Sequence, residues 1–346
     1  MHLSCRARRL LLSLPAAALV AALSASAGCG TSTGGEAQTP RDAAVVPGAS
    51  SSDATPADAA SDAPREAAPA PPSTCESGAP ITVRIVTGNL SSGNDQSYTT
   101  GEGGRIFKAL APDVAMIQEF NVSTNSDADV SAFVTRYFGA GYTYTRGTGQ
   151  IPNGVVTRWP VVASGTWVDQ SVSNRNFVWA KIDIPGPTDL YAISVHLLTT
   201  SSTNRANEAA QLAGLIQANV TDGSYVAIGG DFNTAARTEQ AVVDFSAVFA
   251  TAGPYPADQA GTEGTNASRA KPFDWVLVTP ALDLHRAATT LGPVTFPYGA
   301  VFDTRVFTPL ASLEVTGDPD AVLATDSAAT NMQHMAVVRD FVVACP

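Results

Sequence analysis

Six polar clusters occupy the same kind of position in this chain. Asn89 ends the β-rich run ITVRIVTG, and Gln118-Glu119 ends DVAMI. His196 ends DLYAISV, Asp231-Phe232-Asn233 ends SYVAIGG, Asp274 opens DWVLV, and His334 stands just before MAVV. Carboxylates, amides and imidazoles are the side chains that hold hard cations through oxygen and move protons near neutral pH. In α/β sheets such sites collect where strand ends meet loops. Six polar strand ends therefore point to one shared site. Singly, each has a plainer reading: Glu119 as a solvated strand end, His196 as a satisfied core histidine, Asp231 as a helix N-cap, His334 as a strand-edge residue.

The elements that must position these residues are legible as patterns. ITVRIVTGNL alternates and reads as a strand. DVAMIQEF and SYVAIGGDFN are continuous apolar runs, the pattern of strands buried on both faces. GGRIFKAL reads as a helix stopped before Pro112, and residues 127–138 as a second. NGVVTRWPVV predicts two short strands around a turn. NFVWAKIDI and DLYAISVHL predict a hairpin across PGPT. NRANEAAQLAGLIQANV is the clearest amphipathic helix, capped near Thr203 or Asn204, with Arg205 and Glu208 on its solvated face. A further helix is expected near 236–249, and FDWVLVTP and HMAVVRDFVV supply the last strands.

The N-terminus has a different character. Arg6, Arg8 and Arg9 precede an apolar run from Leu10 to Leu23 and then small residues, the pattern of an export signal over 1–28. Ala25-Ser26-Ala27 suits ordinary signal peptidase, whereas Ser26-Ala27-Gly28-Cys29 resembles a bacterial lipobox with Ser26 in the usual leucine place. Residues 29–74 hold no aromatic residue and few large aliphatics, so they read as a disordered Ala/Ser/Pro/Asp-rich tether. The folded domain is expected over 75–346. Once the signal and its Cys5 are removed, Cys29, Cys75 and Cys345 remain. An odd thiol in an exported chain needs an explanation. Lipidation of Cys29 supplies one and leaves Cys75 and Cys345 to clasp the domain ends as a disulfide. The expected location is the bacterial cell envelope, as a lipoprotein, or the outside of the cell. The only membrane contact expected is the anchor at Cys29.

The whole chain carries −11. The signal holds three arginines, and the tether two basic and six acidic residues, which leaves −10 on 75–346. That lacks the basic footprint of a tight duplex binder. Either the substrate is small or a bound cation reverses the local field.

Taken in order, these segments resemble the endonuclease/exonuclease/phosphatase superfamily, the fold of deoxyribonuclease I. TGNL looks like its first asparagine motif and PDVAMIQEF like its metal-binding glutamate motif. NGVVTRWPV, SVHL, GGDFNT, KPFDWVLV and QHMAVV follow in the family's order across nearly all of 81–343. The resemblance implies a four-layer α/β sandwich, two packed mixed sheets flanked by helices, and a monomeric metal-dependent phosphoric ester hydrolase. It implies Glu119 as metal ligand with Asn89 beside it, and Mg²⁺, Mn²⁺ or the larger Ca²⁺ as the ion. Asp231 would orient or deprotonate the attacking water, and Asn233 would place the phosphate. Asp274 would fix the tautomer of His334 and support its charge. His196 would contact phosphate or act as general acid.

Of the basic residues, Arg158 in its SR.P-like segment and Lys271 just before Asp274 are the better phosphate contacts. Arg175, Arg269 and Arg305 are weaker ones, and His285 reads as surface. The departure from the family pattern is Gln333, where an Asp usually precedes the last histidine. Its carbonyl can ligate, but it supplies no charge, so weaker or shifted metal binding is expected. Asp326, seven positions earlier, is the acid able to replace it. The first substrate expectation is DNA or RNA. A phospholipid, sphingomyelin or small phosphoester comes second, and a catalytically weak binding lipoprotein third.

Overall fold

The computed structural model describes residues 79–314 and 316–345. The expected signal, Cys29, the tether and Cys75 lie outside the described residues, and so does any test of the Cys75–Cys345 clasp. Among the described residues, no helix is long and apolar enough to cross a membrane.

In chain order the strands are β1 (Ile81–Gly88), β2 (Val114–Ile117), β3 (Thr143–Arg146), β4 (Gly154–Thr157), β5 (Val161–Trp167), β6 (Phe177–Ile182) and β7 (Leu190–His196). They continue with β8 (Tyr225–Asp231), β9 (Asp274–Val278), β10 (Arg286–Ala287), β11 (Thr289–Leu291), β12 (Val294–Phe296), β13 (Ala300–Phe302) and β14 (Ala336–Val343). The helices are α1 (Glu102–Leu110), α2 (Asp127–Tyr137), α3 (Ser202–Asn219), α4 (Gln240–Phe245) and the short α5 (Pro280–Asp283).

One sheet runs β10-β14-β1-β2-β4-β3, with β13 also on β14, and a second runs β5-β6-β7-β8-β9. Each contains one parallel pair, β1 with β2 and β7 with β8. A parallel pair needs a crossover, and α1 and α3 supply the two. Each crossover brings two strand C-termini to the same end of its sheet.

Alternation along the strands divides the core into layers. Val83, Ile85, Val114 and Met116 meet Ala180, Ala192, Ala227 and Val276 between the sheets. On the outer faces, Val86, Ala115 and Ile117 pack with Ile106, Phe107 and Phe133 of α1 and α2. Ile193, Val195 and Ile228 pack with Leu212, Ile216 and Phe245 of α3 and α4. The result is the expected four-layer sandwich. The two glycines of GGDFN have steric reasons. A Cβ on Gly229 would stand 2.3 Å from Met116 Cε, and one on Gly230 would stand 1.7 Å from Val195 O.

Several local expectations change. NGVVTRWPVV does form two strands, but β4 lies in the first sheet and β5 in the second, so Trp159-Pro160 carries the chain between layers. The cap of α3 is Ser201, whose hydroxyl accepts from Asn204 N at 3.2 Å. Arg205 and Glu208 are buried, not solvated. Arg205 Nε donates to Glu239 Oε1 at 2.6 Å, and Glu208 Oε2 accepts from Leu198 N at 3.0 Å. Glu208, and Arg205 through a second bond from Nη1 to Leu198 O at 2.9 Å, tie α3 to the loop after His196, while Glu239 ties it to the segment before α4. The helix expected near 236–249 is confined to α4 and begins beyond Glu239, so Asp231 does not cap it.

Candidate active site

Strand register brings the six clusters together. Gly88 pairs with Ile117 in the parallel β1/β2 pair, so Asn89 and Glu119 emerge side by side. Thr87 pairs with Val337 across β1/β14, which brings His334 to the same end. In the second sheet His196 pairs with Asp231, and Asp231 with Asp274. Gln118 joins the sheets just beneath: its Nε2 donates to Ser194 Oγ at 2.9 Å, and Ser194 Oγ donates to Ile117 O at 2.8 Å. His334 is held from behind. Met335 N donates to Thr265 O and Asp274 N to Thr265 Oγ1, both at 2.7 Å.

Asp231 is the hub. Its Oδ2 lies 3.3 Å from His196 Nε2, 3.3 Å from His334 Nε2 and 3.4 Å from Asn89 Nδ2. Its Oδ1 accepts from Asn233 N at 2.9 Å, a turn that needs the left-handed φ of 52° at Asn233. Asn233 Nδ2 donates to Leu197 O at 3.0 Å. On the far side of the imidazole, His334 Nδ1 stands 3.0 Å from Asp274 Oδ2. The line Asp274–His334–Asp231 is buried throughout, with His334 only 4% and Asp231 only 1% exposed.

Burial and charge push these groups apart. Burial pulls the His334 imidazole down, but Asp231, Asp274 and the hydrogen bond to Asp274 overcome it and hold it at about 9. Burial raises Asp231 to about 6, with His334 opposing and Asp274 adding. His196 is pushed well below 6.5 by burial, then by Arg175 and His334. At neutral pH, His334 is therefore the cation and His196 a neutral ring. To donate to Asp231, His196 must carry its proton on Nε2, and among the described residues its buried Nδ1 has no hydrogen-bond partner.

Beside the hub is a corner of oxygen donors. Ser91 Oγ lies 2.7 Å from Glu119 Oε2 and 3.1 Å from Asn89 Oδ1, so a carboxylate and an amide oxygen converge on one point. Glu119, two residues past β2, adopts a strained φ of 49°, and its carboxylate meets Ser91 Oγ. Tyr98 locks the corner: its hydroxyl accepts from Leu90 N at 3.0 Å and lies 3.1 Å from Gln118 O. Among the described residues no three His, Cys, Asp or Glu side chains form a metal cage. One carboxylate with one amide oxygen suits a hard ion that keeps several waters. Ser91 and Tyr98 escape sequence reading because only the fold reveals what they touch.

The remaining candidates separate. Gln333 is exposed, and its backbone carbonyl, not its side chain, is engaged, accepting from Ala267 N at 2.7 Å. Asp326 is not free to replace it: Arg105 grips it at 2.6 and 3.0 Å, and Leu323 N donates to it at 2.9 Å. Arg158 is misplaced as a phosphate contact. It pairs with Asp113 at 2.5 Å, at the end of β2 opposite Glu119. Arg269 is spent on Asp258 and Asp303, and Arg305 on Asp303. Lys271 fares better, with its ammonium 5.8 Å from the Phe273 ring, which packs 5.6 Å from His334. Arg175, ranked low from sequence, is buried beside the site. It donates to Leu197 O at 3.1 Å, and its Nε has no partner. His285 is half-buried, not on the surface; it meets Tyr225 and Val342 at the opposite end of the sheets.

The family model described as Endonuclease/Exonuclease/phosphatase family matches residues 104–297. No curated protein matches the sequence. A functionally unknown conserved protein from Enterococcus faecalis V583 is similar in structure, with a TM-score of 0.52 at 11% identity over 76% of this chain and 100% of that one. An endonuclease/exonuclease/phosphatase from Bacteroides vulgatus gives 0.51 at 14% over 76% and 99%. Another from Beutenbergia cavernae DSM 12333 gives 0.51 at 15% over 76% and 72%. At these identities the likeness is one of fold.

Proposed function

The chain belongs to the endonuclease/exonuclease/phosphatase family of metal-dependent phosphoric ester hydrolases, and we propose that it is an exported phosphodiesterase of small phosphoric esters. The observation that carries this reading is the buried line Asp274–His334–Asp231 beside the Glu119–Asn89 corner. Glu119 and Asn89 would hold a divalent ion of the Mg²⁺ or Mn²⁺ kind, which would supply neutralisation of the phosphate's charge.

The protein's own groups account for the rest. Asp231, near 6, is ionised at neutral pH and accepts a proton from the attacking water as the new P–O bond forms and the ester P–O bond opposite breaks. The leaving oxygen takes its proton from solvent. Asn89 and His196 hold Asp231 Oδ2 in place. Asn233, fixed by its own turn, presents its side chain to the phosphate. His334, charged and oriented by Asp274, donates Nε2–H to a phosphate oxygen that displaces its contact with Asp231. His196, held neutral with its one ring proton turned to Asp231, steadies that carboxylate and is neither the phosphate contact nor the proton donor. Gln333 adds no charge at the corner, so metal binding is weaker than where an acid stands there.

A small ester fits better than a nucleic acid, the first expectation. Arg158, Arg269 and Arg305 are spent on acids, and Lys271 and Arg175 are few for a polyanion. Export through 1–28, a lipid anchor at Cys29, the tether, the Cys75–Cys345 clasp and a monomeric state belong to the same proposal. The test is hydrolysis by the purified protein of bis(p-nitrophenyl) phosphate, glycerophosphodiester, sphingomyelin, RNA and plasmid DNA, with Mg²⁺, Mn²⁺ or chelator. Metal-dependent turnover of the small diesters above the polymers supports the reading, and turnover that survives chelator contradicts it.

A further inference from the structure

A groove of about 580 Å³ opens next to the Glu119 corner, between the loop after β1 and the loop after β2. It starts at Ser92, one residue past the serine that binds Glu119, and runs along Asn121, two residues beyond Glu119. Its walls are hydroxyls and amides, including Asn94, Ser97, Thr99 and Asn125. Among the described residues that line it, Asp95 is the only charged one, and none is aromatic. Arg146, a cation beside the groove, is half-buried and spent on Phe120 O at 2.6 Å and on the Asn121 and Asn125 amide oxygens at 3.2 and 2.9 Å.

The two loops are fixed in shape. Tyr98 N donates to Asn121 O at 2.8 Å and Ser123 N to Thr99 Oγ1 at 2.7 Å, which ties one loop to the other. Gln96, Glu119, Ser123 and Asn125 all hold positive φ, between 43° and 63°. Such strain persists only where the surroundings over-determine it, and it gathers at binding sites. A rigid polar groove beside the reacting centre loses little freedom when it takes a ligand.

We propose that this groove receives the organic group carried by the scissile phosphate, and that this group is a neutral polyhydroxylated one, a sugar or a polyol. The inference rests on the phosphoesterase reading of the adjoining site. Hydroxyls and amides offer donors and acceptors in mixture, which matches a ligand made of hydroxyls. A nucleic-acid strand wants cations along its backbone and aromatic faces for its bases. The groove offers neither, and Asp95 repels further phosphates. An acyl chain finds no apolar wall.

Saturation-transfer NMR on the full chain in chelator, with sn-glycero-3-phosphoglycerol as probe, reads the groove without turnover. Transfer to the glycerol protons is expected, weakened about tenfold in affinity by Asn94→Ala, the scale of one or two lost hydrogen bonds. Asn94→Tyr, which fills the groove from its exposed rim, is expected to abolish it. No transfer in the wild type, transfer unchanged in both variants, or equal transfer to a thymidine dinucleotide would overturn the proposal. Transfer without any metal-dependent hydrolysis would uphold the groove and sink the phosphoesterase reading instead.

Discussion

Replacing Asp274 by Asn removes one of the two carboxylates that keep His334 charged while leaving an amide oxygen to accept from Nδ1. In the native site the imidazole lies between Asp274 at 3.0 Å and Asp231 at 3.3 Å. Burial opposes its charge, and the two acids raise it to about 9. Two unit charges 4 Å apart attract by about 4 kcal/mol at an effective dielectric of 20. At about 1.4 kcal/mol per pKa unit, that is roughly three units. Asp274→Asn is therefore expected to bring the His334 titration to roughly 6 in the metal-free protein, below neutral pH. NMR of ¹⁵N-labelled histidine between pH 5 and 10 reads this directly. In the wild type, the ring keeps both protons through pH 8. In the variant, it loses one before pH 7. If the variant still titrates near the wild-type value, Asp274 does not charge the ring, and the role assigned to the pair is wrong.

Other consequences lie away from that pair. Glu208 is raised to about 8, by burial first and then by its hydrogen bond with Asp169, against an ordinary 4.5. Between those values the native state holds a proton the unfolded chain has lost, so stability falls as pH rises through the window and levels off above it. Glu208→Gln removes that slope: its melting temperature should match the wild type near pH 5 and exceed it at pH 9. Met116→Ala opens a void under Gly229 between the sheets and should cost about 2–5 kcal/mol in denaturant unfolding. Arg158→Ala, at the far end of β2, should leave kcat/KM within about twofold, the size of a surface change. A loss of a hundredfold would return Arg158 to the site.

How much of this was legible in the sequence depends on the kind of information each feature carries. The alternation of β1 and the apolar runs around β2, β7, β8 and β14 reveal both the strands and the polar residues at their ends, because a buried strand stops where polarity begins. The six clusters therefore converge as expected. Short pieces such as β3 and β10 to β13 carry too few residues for a period to show. Arg205 and Glu208 break the pattern of a solvated charge on an amphipathic helix because each is itself buried against a partner in a loop, Glu239 and Leu198 N. Arg158 misled because a motif fixes sequence neighbours, not which end of a strand faces the site. Ser91, Tyr98 and Arg175 act through contacts with distant segments, and no local pattern announces those. Gln333 remains the departure from the family pattern, and Asp326, locked by Arg105, does not compensate for it.

The central claim is that Asp231 and His334 act on one phosphate as a single unit. A double-mutant cycle on metal-dependent hydrolysis of bis(p-nitrophenyl) phosphate measures it. Asp231→Ala and His334→Ala should each lower kcat by about a thousandfold or more, and the double variant should fall little further, as expected for residues that work together. Additive losses, or two small ones, would contradict the account.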